Sequence, residues 1–398
     1  MLLIIILYGT MFLFGFLEIV KGVSFPLIKN EFGISYETQG LMISILSISY
    51  TLFVIISGFL LGCFGIKNVF FLSIVLCLVS AFSVFFMPDF WTVVSSLFLL
   101  FAGFGIIEIS VNAVATQIFI KKTALMMNLL HFMYGAGAIA GPRVAGILAD
   151  PNGAALDWRY IYFLAIPLIL VIFTLTIFAK FPVQKNNETK INAIPQKTHG
   201  FLTALKTPSV WAFGIILGIM MSVELSASNW GGLYFQDMYG MDPAVEGSAF
   251  ISAFYILFTL SRLVSGFIIE KTGYMQSLIG AIVISMILFI IGFSLGRTGI
   301  YILPFQGFLL AILWPTIMAV AIGYFGKDAP LMTSAIIAIS GLANSGIQLI
   351  MGYFNTWFGA GWSYRSCLLF SALLIVLLAG FNRHIKKSLI IEPLAKLC

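Results

Sequence analysis

Charge is scarce in this chain. Asp, Glu, Lys and Arg make up 9% of its 398 residues, against about a quarter in a soluble domain, and that deficit excludes a water-exposed globular fold of this size. Histidine (3) and cysteine (4) are few as well. Cys63, Cys77 and Cys367 lie in apolar runs and Cys398 is the last residue, so they read as buried or incidental thiols, with neither a disulfide framework nor a metal-ligand spacing. No phosphate-binding glycine loop, zinc motif or nucleotide fingerprint occurs, which argues against ATP-driven chemistry and implies no cofactor. The first segment lacks a basic leader and a small-residue cleavage site, and it is longer than the apolar core of a signal peptide; it reads as a retained helix.

In place of charge the chain has long apolar runs: 61% of its residues are hydrophobic and the mean hydropathy is +1.07. A crossing takes about 20 residues, which leaves room for about twelve spans and no sizeable domain outside the bilayer. Runs bounded by charge, Pro or Gly place helices at 3–28, 39–62, 68–88, 90–119, 124–149 and 159–181, then at 208–236, 245–269, 275–296, 298–324, 330–354 and 363–383. Of the 21 Lys and Arg residues, Lys29, Arg159, Arg297 and Arg365 fall in outer loops if the N-terminus is cytoplasmic, Lys21, Arg143 and Arg262 fall inside spans, and the other 14 lie in inner loops and the tail. That asymmetry puts both termini in the cytoplasm and makes the number of crossings even. It also accounts for the net charge of +6 without nucleic acid.

The stretch from Phe181 to Lys206 is the one long polar segment, and it divides the chain into 1–181, a linker 182–207, a second half 208–383 and a tail 384–398. The halves echo each other. Ser57-Gly58-Phe59-Leu60-Leu61-Gly62-Cys63-Phe64-Gly65 returns 208 positions later as Ser265-Gly266-Phe267-Ile268-Ile269-Glu270-Lys271-Thr272-Gly273, each copy where the second helix of its half meets the cytoplasm. Two six-helix halves, a basic central loop and a repeated Gly-x-x-x-(Asp)-x-x-Gly turn resemble the major facilitator superfamily over essentially the whole chain. The resemblance implies an all-α membrane protein of twelve transmembrane helices in two pseudo-symmetric halves, working as a monomer in the plasma membrane on a small-molecule substrate. In that family the acid of the turn helps latch the halves on the inner side. Here the second copy keeps Glu270, with Arg262 two helical turns earlier, and the first has Gly62 instead.

An ionisable residue within the bilayer marks a functional site by default. Glu108 lies about 24 Å along the fourth span with Asn112 one turn on, so both face one side of it. With no cation in its own helix it reads as a proton-exchanging or substrate-contacting carboxyl, or as a structural hydrogen-bond partner of backbone or His131. Glu18 and Lys21 are spaced i, i+3 and either neutralise each other or exchange partners as a proton arrives. In the fifth span Asn128 and His131 share a face, followed by Tyr134 and by Gly135, Gly137, Gly141, Pro142 and Gly146, spacings that admit a neighbouring helix. Arg143 reads as reaching the outer surface near Asp150 or Asp157. His131, with no second His nearby, is a polar residue rather than a metal ligand.

The run Glu108-Ile-Ser-Val-Asn112 and the run Asn128-Leu-Leu-His131-Phe-Met-Tyr134-Gly-Ala-Gly resemble the fucose/galactose/glucose proton symporter group of that superfamily. The resemblance implies proton and sugar roles for Glu108, Asn112, Asn128 and His131. The group's acid in the first helix aligns with Gly22 when Pro26 is the anchor, and Glu18 or Lys21 stands one turn away. From the second half come Glu224, Asn229 and Trp230 in the seventh span, Trp314 before Pro315 in the tenth, and Ser340, Asn344 and Gln348 at i, i+4 in the eleventh. Amides beside tryptophan faces suit a polyhydroxylated solute; the same residues also serve as polar glue between helices.

Proton coupling is therefore expected of Glu108, Glu18, Lys21, His131 and Glu224. Solute contact is expected of Asn112, Asn128, Tyr134, Asn229, Trp230, Trp314, Asn344 and Gln348, and gating of Arg262 and Glu270. The alternative within the superfamily is a drug or metabolite exporter, because Gly137-x-x-x-Gly141-Pro142-x-x-Ala145-Gly146 partly matches the fifth-helix motif of its antiporters. An enzyme is not expected: Gly292-Phe-Ser-Leu-Gly296 fits the hydrolase Gly-x-Ser-x-Gly pattern but lies in an apolar helix without strand context.

Overall fold

The computed structural model describes residues 1–182 and 198–389; the expected linker stretch 183–197 and the tail from 390 onward lie outside the described residues. Among the described residues, ten apolar helical stretches are long enough to cross a membrane. Two of them, Tyr36–Phe86 with 51 residues and Gly296–Phe358 with 63, would be about 76 and 95 Å long as single rods. Each is broken by a glycine at positive φ, Gly65 and Gly326, so each has the length to cross twice and the described residues provide twelve spans. They are α1 (Leu2–Phe32), α2 (36–64), α3 (66–86), α4 (Phe90–Ile118), α5 (Thr123–Ala149), α6 (Arg159–Phe178), α7 (Pro208–Tyr239), α8 (Pro243–Thr272), α9 (Tyr274–Ser294), α10 (296–325), α11 (Ala329–Phe358) and α12 (Trp362–Arg383). No strand occurs among the described residues.

The expected ends move by a few residues, each for a local reason. α1 runs on past residue 28 to Phe32, where Gly33 closes it in the left-handed conformation at φ 57. Pro26 inside it cannot donate back to Gly22, and α1 breaks at Val20. α6 stops at Phe178 because Ala179 is extended, and Lys67 Nζ donates to Ile177 O and Ala179 O at 2.9 and 3.1 Å. α4 starts where Asp89 accepts the backbone N–H groups of Trp91 and Thr92 at 3.0 and 3.1 Å. The Thr92 backbone N–H and hydroxyl hold the Asp89 carboxyl below the usual carboxylate range.

Within each half, helices approach at small residues, as van der Waals packing in lipid requires. Gly15, Gly137 and Gly141 bring α1 and α5 together: a Cβ on any of them would collide with Tyr134 O, Phe12 O or Phe16 O. Gly137 and Gly141, two of the glycines that suggested an antiporter motif, thus seat α1, while Gly146 lies against Ala244 and Ser248 of α8. Gly214 and Gly218 do the same for α7 against Ile339 and Ser340 of α11.

Between the halves, close approaches cluster toward the end where α1 meets α2. A Cβ on Gly40 would lie 3.0 Å from Gly352 Cα, and one on Gly22 3.0 Å from Ser228 O. Tyr36 Oη donates to Asp237 Oδ2 at 3.1 Å, with Lys29 Nζ 4.5 Å above the Tyr36 ring. Arg143 does not reach Asp150 or Asp157. Its Nη1 donates to Ser248 Oγ of α8 at 3.3 Å, while Asp157 is bound by Arg159 at 3.1 Å.

Candidate functional site

Midway along the bundle the two halves bring their ionisable residues together. On α1, Lys21 Nζ lies 3.6 Å from Glu18 Oε1, as the i, i+3 spacing implied, and 5.6 Å from the centre of the Phe101 ring. Tyr134 of α5 donates to Glu18 Oε2 at 2.6 Å. On α4, Asn112 Nδ2 donates to Glu108 O at 2.6 Å and approaches Glu108 Oε1 at 3.4 Å. Glu108 sits within electrostatic reach of Glu18 and of Arg262 on α8. Glu224 on α7 is within reach of Arg262, Glu18 and Lys21. Five charges singled out in four separate spans therefore form one cluster, and Glu18, Glu108 and Glu224 remain partly accessible. Carboxylates held at such depth need partners or access to solvent: Glu18 has Lys21 and Tyr134, Glu108 has Asn112, and all three keep partial exposure.

The uncharged residues of the second half are arranged differently. Trp230 Nε1 donates to Gln348 Oε1 at 2.8 Å and Ser222 Oγ to Asn344 Oδ1 at 2.9 Å. Trp230 and Gln348 are wholly buried, so in this conformation Trp230, Asn344 and Gln348 tie α7 to α11. Asn229 lies beside them in a π-helical turn, Ala227–Gly231, and its buried Oδ1 has no partner. Such turns occur often at functional sites, because the extra residue releases backbone and side-chain groups from the helical ladder.

The other expected residues lie away from this centre. Asn128 is exposed and His131 half-buried further along α5; Arg262 acts electrostatically on His131. Trp314 is 39% exposed. Glu270 is exposed at the end of α8, and no ion pair joins it to Arg262 among the described residues. No group of His, Cys, Asp and Glu able to hold a metal is found among the described residues. Ser294 of the hydrolase-like pattern donates to Ile290 O in its own helix at 2.7 Å.

Two residues of the cluster were missed. Tyr50 of α2 faces Glu108 and Glu18, and Tyr255 of α8 sits beside Ser228 and faces Glu18 and Glu224. A tyrosine within an apolar run gives little polarity signal. Its four-residue spacing from Thr259 and seven-residue spacing from Arg262 could have placed Tyr255 on the inner stripe of α8.

A family model for the major facilitator superfamily matches residues 7–305. The chain belongs to that superfamily. An uncharacterised transporter of this superfamily from Yersinia pestis is 25% identical over 283 residues, 71% of this chain and 70% of that protein. Among solved structures, the E. coli fucose:proton symporter FucP is similar at TM-score 0.64 and 18% identity, over 96% of this chain and 98% of that one. The nucleoside transporter NupG is similar at TM-score 0.74 and 15% identity, over 97% and 98%. A D-xylose-proton symporter is similar at TM-score 0.73 and 14% identity, over 96% of each chain. As a superfamily member the protein is an integral, multi-pass membrane transporter and not an enzyme.

Proposed function

We propose that this transporter takes up a small polar solute, a sugar or another polyhydroxylated molecule, together with protons, by rocking one half against the other about the central cluster. The carrying observation is the cluster's charge balance: Glu18 is paired with Lys21, and Glu108 and Glu224 lie within electrostatic reach of Arg262. With all five ionised, one negative charge stands uncompensated in low-dielectric surroundings, and a single proton removes it. Glu108 is the acid we assign to that proton, because Glu18 already has Lys21 and Tyr134 while Glu108 has an amide for a neighbour.

For the solute, Asn112, the exposed Asn128 and the unpartnered Asn229 offer amides without the help of a charged anchor. Fucose, xylose and nucleosides, the solutes named for the structural neighbours, are all polyhydroxylated. We place the protein in the plasma membrane as a monomer with halves 1–181 and 208–383 joined by a cytoplasmic linker and both termini inside. In that orientation the stitched end faces out, and the structure is the inward-facing state.

The test is the external pH of lightly buffered, de-energised cells given pulses of hexoses, other polyols and cationic drugs. Alkalinisation on one sugar is the expected outcome. Silence across the polyols, with energy-dependent drug efflux, replaces this reading with the exporter.

A further inference from the structure

On the outer face of the second half, α7 leaves the end opposite the stitched one and α12 returns to it. The Phe213 and Phe381 rings meet edge to face at 4.6 Å, which sets the register of this antiparallel pair and puts Trp211 level with Arg383. Beside the rings the two helices part around a groove of about 410 Å³, walled by Pro208, Ala212, Ile215 and Ile216 of α7 and by Leu377 and Gly380 of α12. Gly380 keeps it open: a Cβ there would meet no atom within 4 Å. The groove faces away from the bundle, since Ile215 is 43% and Trp211 47% exposed. The polar side chain on its wall, that of Ser209, shares a hydrogen bond with Tyr324 Oη of α10 at 3.1 Å. Such a slot has little to offer water, and atoms lining an unfilled one forfeit their dispersion contacts. From Pro208 to Ile216 the wall rises about 12 Å, long enough for much of an acyl chain.

The mouth of the groove is basic. Lys206 stands two residues before Pro208 and Arg383 two residues after Phe381, and both are exposed. The ion pairs among the described residues join Glu18 to Lys21 and Arg159 to Glu31 and Asp157, so neither of these cations is matched in that way. The sequence around them supplies no acid either: 198–223 and 367–389 contain neither Asp nor Glu, while Lys386 and Lys387 add positive charge. In the adjoining connection Lys327 and Asp328 cancel each other. The Trp211 indole N–H donates to Leu205 O at 2.7 Å, the placement of a tryptophan at the boundary between lipid and water. An apolar slot opening between uncompensated cations at that boundary complements an amphiphile with an acyl tail and an anionic head.

We propose that this groove holds one acyl chain of an anionic phospholipid, with the phosphate between Lys206 and Arg383. A zwitterionic lipid brings the same tail but carries its own cation beside the phosphate, so it binds more weakly. The site lies apart from the central cluster and depends on neither the solute nor the direction of transport.

The test is the quenching of Trp211 in the full-length transporter, reconstituted in phosphatidylcholine vesicles that contain increasing fractions of phosphatidylglycerol or phosphatidylcholine with dibrominated chains. The Trp211 signal is the difference between the unsubstituted protein and Trp211→Phe. The expected result is a preference for phosphatidylglycerol of about twentyfold, with Lys206→Gln and Arg383→Gln each losing about fivefold of it. Lys271→Gln, a change at an exposed lysine of α8 at the same end, should lose none. Raised salt should weaken the preference in the unsubstituted protein, where no variant has to fold. Gly380→Leu, which fills the slot, should lower quenching by both lipids. Equal quenching by the two lipids, a preference indifferent to salt and to both cations, one that Lys271→Gln removes as well, or quenching that Gly380→Leu leaves intact would each overturn the inference. Quenching that appears only when the chain is cut after Leu389 makes residues 390–398 the occupant and overturns it too.

Discussion

The two walls of the central cluster solve the problem of polarity inside a bilayer in opposite ways. In the N-terminal half, Glu18 and Tyr134 join α1 to α5, Lys21 lies over Phe101 of α4, Glu108 bonds Asn112 within α4, and the acids are partly exposed. In the C-terminal half, Ser222, Trp230, Asn344 and Gln348 join α7 to α11 with neutral groups, sealed from solvent. The difference follows from desolvation. An amide that exchanges water for one good partner loses little, whereas an ionised carboxylate loses several kcal/mol unless its charge is matched. Charges therefore sit where the halves part, and amides where one half is packed against itself.

The comparison breaks most completely at Glu108. Glu108→Gln leaves the Glu18–Lys21 pair as the N-terminal wall's charges, and we expect proton-driven accumulation to vanish while solute exchange across the membrane persists; gradient-driven uptake and counterflow in proteoliposomes measure the two. Loss of exchange as well would move Glu108 to the solute.

Where the walls' helices cross at the stitched end, Gly40→Val places a Cβ against backbone atoms of Gly352, Leu349 and Gln348. Overpacking of this kind costs about 1–3 kcal/mol, so the closed population of that end should fall about tenfold. Faster alkylation of a cysteine introduced at Ser248, buried at that end against Gly146 of the other half, would report it.

A smaller effect sharpens the contrast from the other wall. Gln348→Leu leaves the Trp230 N–H buried without its acceptor, a loss of about 1–3 kcal/mol, and should lower Tm without moving the pH profile of uptake. A raised KM at unchanged Tm would instead put Gln348 on the solute.

Least of all, Tyr36→Phe removes one half-exposed bond to Asp237, worth about 0.5–1.5 kcal/mol. The same alkylation assay should then rise only a few-fold.

Much of the architecture was legible because membrane insertion writes itself into apolar length. The spans, and the glycines that turn α2 into α3 and α8 into α9, could be read directly, as could the Glu18–Lys21 pair. Site residues were harder, because a polar stripe such as Ser340, Asn344 and Gln348 looks the same whether it faces a solute or a neighbouring helix. Only the position of α7 decides that Trp230 and Ser222 occupy those amides. Likewise, nothing local in Ala227-Ser228-Asn229-Trp230-Gly231 announces a π turn, and Arg143 found Ser248 because α8 comes closer than either aspartate loop.

Gly65 turns the chain at φ 76, ψ 160 and Gly273 at φ 86, ψ 155, one region reached almost solely by glycine. The two copies of the motif thus agree in handedness even though one carries Glu270 and the other Gly62. What they share is a mirror-image torsion, and a mirror-image amino acid fits it. D-alanine introduced by semisynthesis at either position should be tolerated where L-alanine is strained, and stereochemistry alone would then mark the relation between the halves.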